Sequence, residues 1–449
     1  MIGTEKIKSI AEKAAEHFGV PSLSVSVIQN GEQTDVGIGC GKTTVFPIGE
    51  LSKTFISYAV RAAGIDLDSP VSDRSPWFGL KDLEASGSAT IRDILLQRTG
   101  LQEHKLSWFI QPQLSYADAA ELVRYLDPAS GFRERSFRQD MLFASLSRAA
   151  EDITGKRWNE FVRSEALDQI PAEATFFTQS ELSEASGQDV AGLWYSAYGR
   201  LINGTGWMTD LLAGGGSMFS CTSDLARWAE YNRTAGLLQT VPIRDEDFFD
   251  FPLSAVGTGS AEAGDGWYRL DLRGSRIVCG IGESGGSAVF AGWMEDLPFA
   301  FAAAVSLDGS PCAQSVGFSL CDLAAGREEA DWNCTFRDVR EAVNDAKRKN
   351  NSMMLRACTD DLFYRWSAGA FFNRGYGELR FKEVYGRLFL ELFGVPMRIY
   401  HTSDEICILD ATEVLGRTIP CRVDAEEIGI LLEPRSGKMT EFERIERVD

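Results

Sequence analysis

Residues 22–39, SLSVSVIQNGEQTDVGIG, read as two strands joined at Asn30-Gly31. The apolar alternation sets the strands, and Asn-Gly suits the two positive-φ positions of a tight hairpin. A second strand-rich block lies far along the chain at 267–310: WYRLDL, SRIVCGIG, SAVFAGWME and FAFAAAVS. Between the two blocks the pattern is helical. FPIGELSKTF (46–55) opens a helix in which Phe55, Tyr58, Ala59 and Ala62 recur at helical spacing. TIRDILLQRTGL reads as a helix closed at Gly100, and helical periodicity runs through 115–165. GGGSMFSCTSDLARWAEYNR reads as a Gly turn and a helix with Thr222 or Ser223 as N-cap. A hairpin, a helical middle and returning strands predict one α+β domain whose sheet is built from both of its ends.

Residues 327–351, REEADWNCTFRDVREAVNDAKRKNN, read as a charged linker helix. Beyond it, strand and turn signals alternate every ~8–12 residues, the pattern of a small antiparallel β domain. The expected boundaries are 1–325, 326–354 and 355–449. Hydrophobic (44%) and charged (24%) contents are those of an ordinary globular protein. The net charge of −20 argues against nucleic acid, where binding relies on cations that neutralise phosphates, and against an anionic membrane surface. The acidity reads instead as an aid to solubility. The N-terminal pattern is an amphipathic helix without a signal-type apolar core, and no segment approaches a membrane span, so a cytoplasmic location is expected. Nine singly scattered cysteines without a C-x-x-C fit reduced, mostly buried thiols. With three histidines, a Ser-His-Asp triad or a His-rich metal site is poorly supplied.

The chemistry concentrates in FPIGELSKTF. Glu50 follows the Gly49 turn and precedes Lys53 by three residues. At its blandest this is a local ion pair worth a few tenths of a kcal/mol. A carboxylate at the start of a buried helix, held charged by the helix dipole and an ammonium, also suits a general base or a nucleophile. Ser52 lies about 200° around the helix from Glu50 and reads as structural. GESGG (282–286) satisfies G-x-S-x-G, but SAVFAGWME after it alternates like a strand, whereas that motif needs a helix there. GIGESG matches G-x-G-x-x-G and fails for the same reason. Both are better explained as a Gly-rich strand edge beside a cleft.

The hairpin, FPIGELSKTF, GIDLDSPV, TIRDILLQRTGL, DITGKRWNEFV, GGGSMFSCTSDLARWA and GESGG occur in the order found in the serine β-lactamase-like family. That family includes penicillin-binding proteins, D-aminopeptidases and peptide-cyclising thioesterases. AGAFFNRGYGELRFKEVYGRLFLEL resembles the lipocalin-like domain that often follows. The resemblance implies a β-lactamase-like antiparallel sheet packed on a helical subdomain, with the site between them, plus a small C-terminal antiparallel β domain. It does not carry over the mechanism. Aligned on Lys53, the serine of S-x-x-K falls on Glu50. The Tyr-x-Asn motif falls on Arg138-Gln139-Asp140, or on Phe137 and Gln139 after a one-residue shift. The third motif, a cation followed by Thr or Ser and Gly, falls on Glu283-Ser284-Gly285.

These readings set the expectations. Glu50 is base or carboxylate nucleophile, Lys53 positions and charges it, and Arg138 holds an anionic group. Asp140 orients its neighbours, and Glu283, on the strand facing the Lys53 helix, is the complementary acid. Ser284, Gly285, Trp207 and Tyr376 shape the substrate side; Trp207, Trp267 and Trp293 are each readable as pocket lining, against the default of core for large aromatics. No cofactor or metal is expected, because two cations stand among the carboxylates. The substrate class is a small natural-product-like or peptide-like molecule, undergoing isomerisation, elimination, cyclisation or hydrolysis. Two other readings stay open: a catalytically silent binding protein with an internal salt-bridge network, and a serine hydrolase or acyltransferase using a different nucleophile.

Overall fold

The computed structural model describes residues 2–109, 111, 113–197, 200–203, 210–248, 260–356, 358–359, 368–392, 395–402, 407–411, 417–423, 426–432 and 437–447. Strands β1 (Leu23–Gln29) and β2 (Glu32–Ile38) form the expected hairpin, with Asn30 and Gly31 at φ 54° and 82°. The returning strands are β3 (Val241–Ile243), β4 (Ala261–Gly264), β5 (Trp267–Leu272), β6 (Ser275–Ser284), β7 (Ser287–Met294) and β8 (Phe299–Val305). Among the described residues they give one antiparallel sheet in the order β2-β1-β8-β7-β6-β5-β4-β3, with Leu23 opposite Val305. The sheet is therefore built from both ends of the domain. β7 and β8 are buried along their whole length because helices cover both faces.

One face packs on α1 (Thr4–Phe18) and the other on α4 (Thr222–Ala235), with α2 (Ser52–Ala62) stacked on α4 through its side chains and α3 (Met141–Thr154) packed on α2. α5 (Cys312–Ala324) and α6 (Trp332–Arg356) join α1 on its face. α2 is the central helix. Phe55 stacks on Trp228 at 4.4 Å, and Trp228 Nε1 donates to Thr54 Oγ1 at 2.9 Å. Two local expectations are corrected. The cap position of α4 is Cys221, because the Thr222 hydroxyl is taken by Ser24 (2.7 Å) and Ser26 (2.9 Å) on β1. The TIRDILLQRTGL helix covers only Ile91–Leu95. A Thr90–Asp93 capping box starts it, and Gln97 at φ 51° ends it before Gly100.

α6 occupies the expected linker. It is anchored by Trp332 and Phe336, whose rings lie 5.2 and 5.5 Å from Phe318. The C-terminal strands are β9 (Gly369–Asn373), β10 (Gly377–Val384), β11 (Arg387–Leu392), β12 (Val395–Thr402), β13 (Cys407–Ala411), β14 (Arg417–Val423), β15 (Glu427–Ile430) and β16 (Thr440–Arg447). They close into an antiparallel barrel, since β12 pairs with both β11 and β13 and β16 with both β9 and β15. Closure removes the exposed edges, and Phe371, Leu379, Leu390, Ile399, Leu409 and Phe442 fill the core. This matches the lipocalin-like expectation. No helix among the described residues is long and apolar enough to cross a membrane.

Candidate active site

The site starts from two glycines. Gly49 opens a tight turn, Gly49–Leu51, that leads into α2, and its φ is 49°. A Cβ there would lie 2.5 Å from the Glu283 carbonyl oxygen, and a Cβ on Gly282 would lie 1.9 Å from the Ile48 carbonyl oxygen. Only glycine lets β6 press so closely on the turn. The result is a bond between the two elements: the Glu283 backbone N–H donates to Glu50 Oε2 at 2.7 Å. Glu50 is 7% exposed.

That register turns the Glu283 side chain away from Glu50. Gly280 and Gly282 face α2, and side chains alternate along a strand, so Ile281 and Glu283 project to the α5/α6 face. There they line a pocket with Arg340. The carboxylate expected to face Glu50 across a cleft stands on the other side of the strand. Glu283 gives Glu50 its backbone N–H instead.

Lys53 also departs from expectation. Its Nζ lies 2.7 Å from Asp140 Oδ1, and both side chains are almost fully buried. Glu50 sits on a tighter turn than the α-helix that the i,i+3 argument assumes, and β6 holds its carboxylate. Lys53 reaches across to α3, with the Phe143 ring 5.2 Å from its Nζ. Asp140 sits in the cap position of α3 without capping it; the Gln139 side chain accepts from the Met141 N–H at 2.9 Å instead. Of the two registers read for this segment, the one through Arg138 and Asp140 reaches α2. Phe137 and Gln139 are buried in the core.

Arg138 is held by Glu103, with Nη2 at 2.8 Å and Nε at 3.0 Å from Oε1, while its Nη1 lies 3.9 Å from Glu50 Oε1. Lys105 approaches Glu103 at 3.2 Å. Glu50, Glu103 and Asp140 each place a carboxylate oxygen within 4.8 Å of the others, a spacing that suits a divalent cation. Lys53 and Arg138 meet that charge from within the protein. Glu103 was not singled out from the sequence. Its one local signal is the polar cluster QEHK after Gly100.

The other expected residues fall as follows. Ser284 ends β6, and Gly285 (φ 52°) and Gly286 (φ 100°) turn directly into β7. GESGG is thus strand–turn–strand, not a nucleophile elbow. The buried Ser52 hydroxyl donates to the Gly49 carbonyl at 2.7 Å and accepts from the Met218 N–H at 3.2 Å. Trp267 and Trp293 are core residues packed edge to face at 4.9 Å. Trp207 lies outside the described residues.

Tyr376 is 2% exposed and sits in the turn between β9 and β10, against the sheet domain. Its hydroxyl is 2.6 Å from His104 Nδ1, and His104 Nε2 is 2.9 Å from the Asp127 carbonyl oxygen. A carbonyl only accepts, so Nε2 carries the proton and Nδ1 accepts from Tyr376. His104 sits in the left-handed region (φ 48°), and burial is the main cause that pulls its pKa down to about 4. The barrel is thereby fastened to the residue next to Glu103.

Residues 7–316 match the family model described as Beta-lactamase. Solved structures share the fold. SurE is 17% identical over 98% of this chain and 99% of its own, with a TM-score of 0.56. The octameric penicillin-binding protein homologue from Pyrococcus abyssi is 16% identical over 98% and 100%, at 0.59. A D-stereospecific amidohydrolase from Streptomyces sp. is 17% identical over 71% and 98%, at 0.58. No protein of curated function matches the sequence.

Proposed function

This chain belongs to the beta-lactamase family, and from that premise we propose that it is an enzyme working by acid–base rather than acyl-serine chemistry. Its substrate class is a small natural-product-like or peptide-like molecule. The observation that carries the reading is the Glu50 carboxylate at the mouth of α2. One oxygen is fixed at 2.7 Å by the Glu283 N–H, and the other faces Arg138 at 3.9 Å. Glu50 is the general base. Arg138, steadied by Glu103, stabilises the anion that forms when a proton leaves the substrate. The Lys53–Asp140 pair positions the start of α2. The complementary acid role read for Glu283 does not suit a side chain on the far face of β6. Base-driven isomerisation, elimination, cyclisation or hydrolysis all fit this set. The singly scattered cysteines suit a reducing, cytoplasmic setting.

A silent, ligand-binding role is the second reading. It is favoured by the internal pairing of Lys53 with Asp140 and Arg138 with Glu103. Two experiments test the assignment, the first against a serine nucleophile and the second against the silent reading. Fluorophosphonate and penicillin-type probes should leave the full chain unlabelled, because the Ser52 hydroxyl is bonded on both sides; stoichiometric labelling at Ser52 or Ser284 refutes the acid–base assignment. A screen of amino-acid amides, small lactones and lactams should then give turnover that Glu50→Gln removes. Binding without turnover throughout the screen favours the silent reading.

A further inference from the structure

The pocket behind β6 has a chemistry of its own. It encloses about 160 Å³ between the end of β6, the N-terminus of α5 and one side of α6. Arg340, Asn344 and Lys347 line it, spaced i, i+4 and i+7 along α6, the ladder that shares one helix face. Arg340 is half-buried and has no salt-bridge partner within 4.0 Å among the described residues. Burial pushes its guanidinium below the ordinary value, and the charges of Glu283 and Asp308 work against that. Opposite stands Gln314 on the first turn of α5, 2% exposed, its Oε1 buried without a hydrogen-bond partner among the described residues. A buried amide oxygen left unbonded costs about 1–3 kcal/mol. Gln314 is among the residues that line the cavity, so a turn of its side chain brings this oxygen to a ligand donor there. Ile281 and Val343 supply an apolar floor.

We propose that this pocket binds a small organic carboxylate carrying a hydrogen-bond donor beside the carboxyl group, with the carboxylate on Arg340 and Lys347 and the donor on Gln314. The positive end of the α5 dipole adds to the anion preference. Glu283 limits it, and selects against a ligand that turns a second anion towards β6. The site lies on the opposite face of β6 from the Glu50 carboxylate and does not depend on the reaction assigned to Glu50. Arg138, which lines the pocket and also faces Glu50, is the physical link between the two.

The test is calorimetric titration of the full chain with lactate, propionate and lactamide. Lactate should bind with a Kd of about 1 mM. Propionate, which lacks the donor, should bind several-fold more weakly, and the uncharged lactamide should not bind at all. Arg340→Gln should weaken lactate about tenfold or more, the scale of one charge-assisted hydrogen bond. Lys347→Gln, at an exposed position that leaves the fold intact, should weaken it several-fold. Equal binding of lactate and lactamide overturns the proposal, as does no lactate binding or lactate binding unchanged in both variants. Because binding is read without turnover, the outcome is independent of whether Glu50 is a base.

Discussion

At the residue scale the site is a set of opposite charges assigned to specific partners, and two substitutions separate chemistry from packing. Glu50→Gln keeps the shape and the bond from the Glu283 N–H but removes the base. Turnover on a substrate found by screening should fall by about 10²–10⁴-fold, the usual contribution of a positioned proton transfer, with little change in thermal stability. Unchanged turnover in a destabilised variant identifies Glu50 as a structural member of the ion-pair set. Lys53→Met asks the reverse question. It strands the Asp140 carboxylate in the core, and breaking one side of a buried pair costs about 3–5 kcal/mol. Denaturant unfolding should show that loss, and adding Asp140→Leu should recover much of it. A loss below about 1 kcal/mol for Lys53→Met places the pair in a wetter environment than its burial indicates.

At the element scale the decisive contact is β6 against the turn before α2. A methyl on Gly282 cannot sit 1.9 Å from the Ile48 carbonyl oxygen, so Gly282→Ala must push the strand off the turn. The expected cost is about 1–3 kcal/mol, the usual scale of overpacking. The same displacement pulls the Glu283 N–H from Glu50, so catalytic activity should fall further than stability alone explains. A crystal structure of the variant with the 2.7 Å bond intact contradicts this account of why the segment reads GIGES. The glycines were visible in the sequence as a Gly-rich strand edge. Which face of the strand each neighbour presents was not, because a one-residue slip exchanges the two faces.

At the scale of the whole molecule, the barrel is tied to the sheet domain through Tyr376 and His104. His104 is neutral in this setting, with a pKa lowered from 6.5 to about 4. A histidine whose pKa falls on folding stabilises the fold most above its unfolded value. Its contribution is present above about pH 6.5, declines as pH falls towards 4, and totals on the order of 3 kcal/mol. Wild type should therefore lose stability faster than His104→Asn as pH drops from about 6.5 to 4, and at the same rate above 6.5. Thermal unfolding at a series of pH values checks this, and parallel curves across the whole range refute it. Tyr376→Phe removes the donor to Nδ1. It should cost about 1–3 kcal/mol, for a buried acceptor left unbonded, and should loosen the barrel's hold on the loop carrying Glu103.

What the sequence determined by itself was everything written in local pattern and order. The Asn30-Gly31 hairpin, the sheet built from both ends of its domain, the helical middle, the α6 linker and the alternating strands of the barrel all follow from periodicity and turn chemistry, which act over a few residues. So did the position of Glu50, three residues before Lys53 at the start of the central helix. Only the tertiary structure decided which charge meets which. Lys53 pairs with Asp140 rather than its sequence neighbour Glu50, Arg138 with Glu103, and Tyr376 with His104 across the two domains. Ion pairs and hydrogen bonds between segments tens to hundreds of residues apart depend on register, on which way a strand's faces turn and on how closely two glycines let backbones approach. No short stretch of the chain carries that information, because it exists only once the elements are packed.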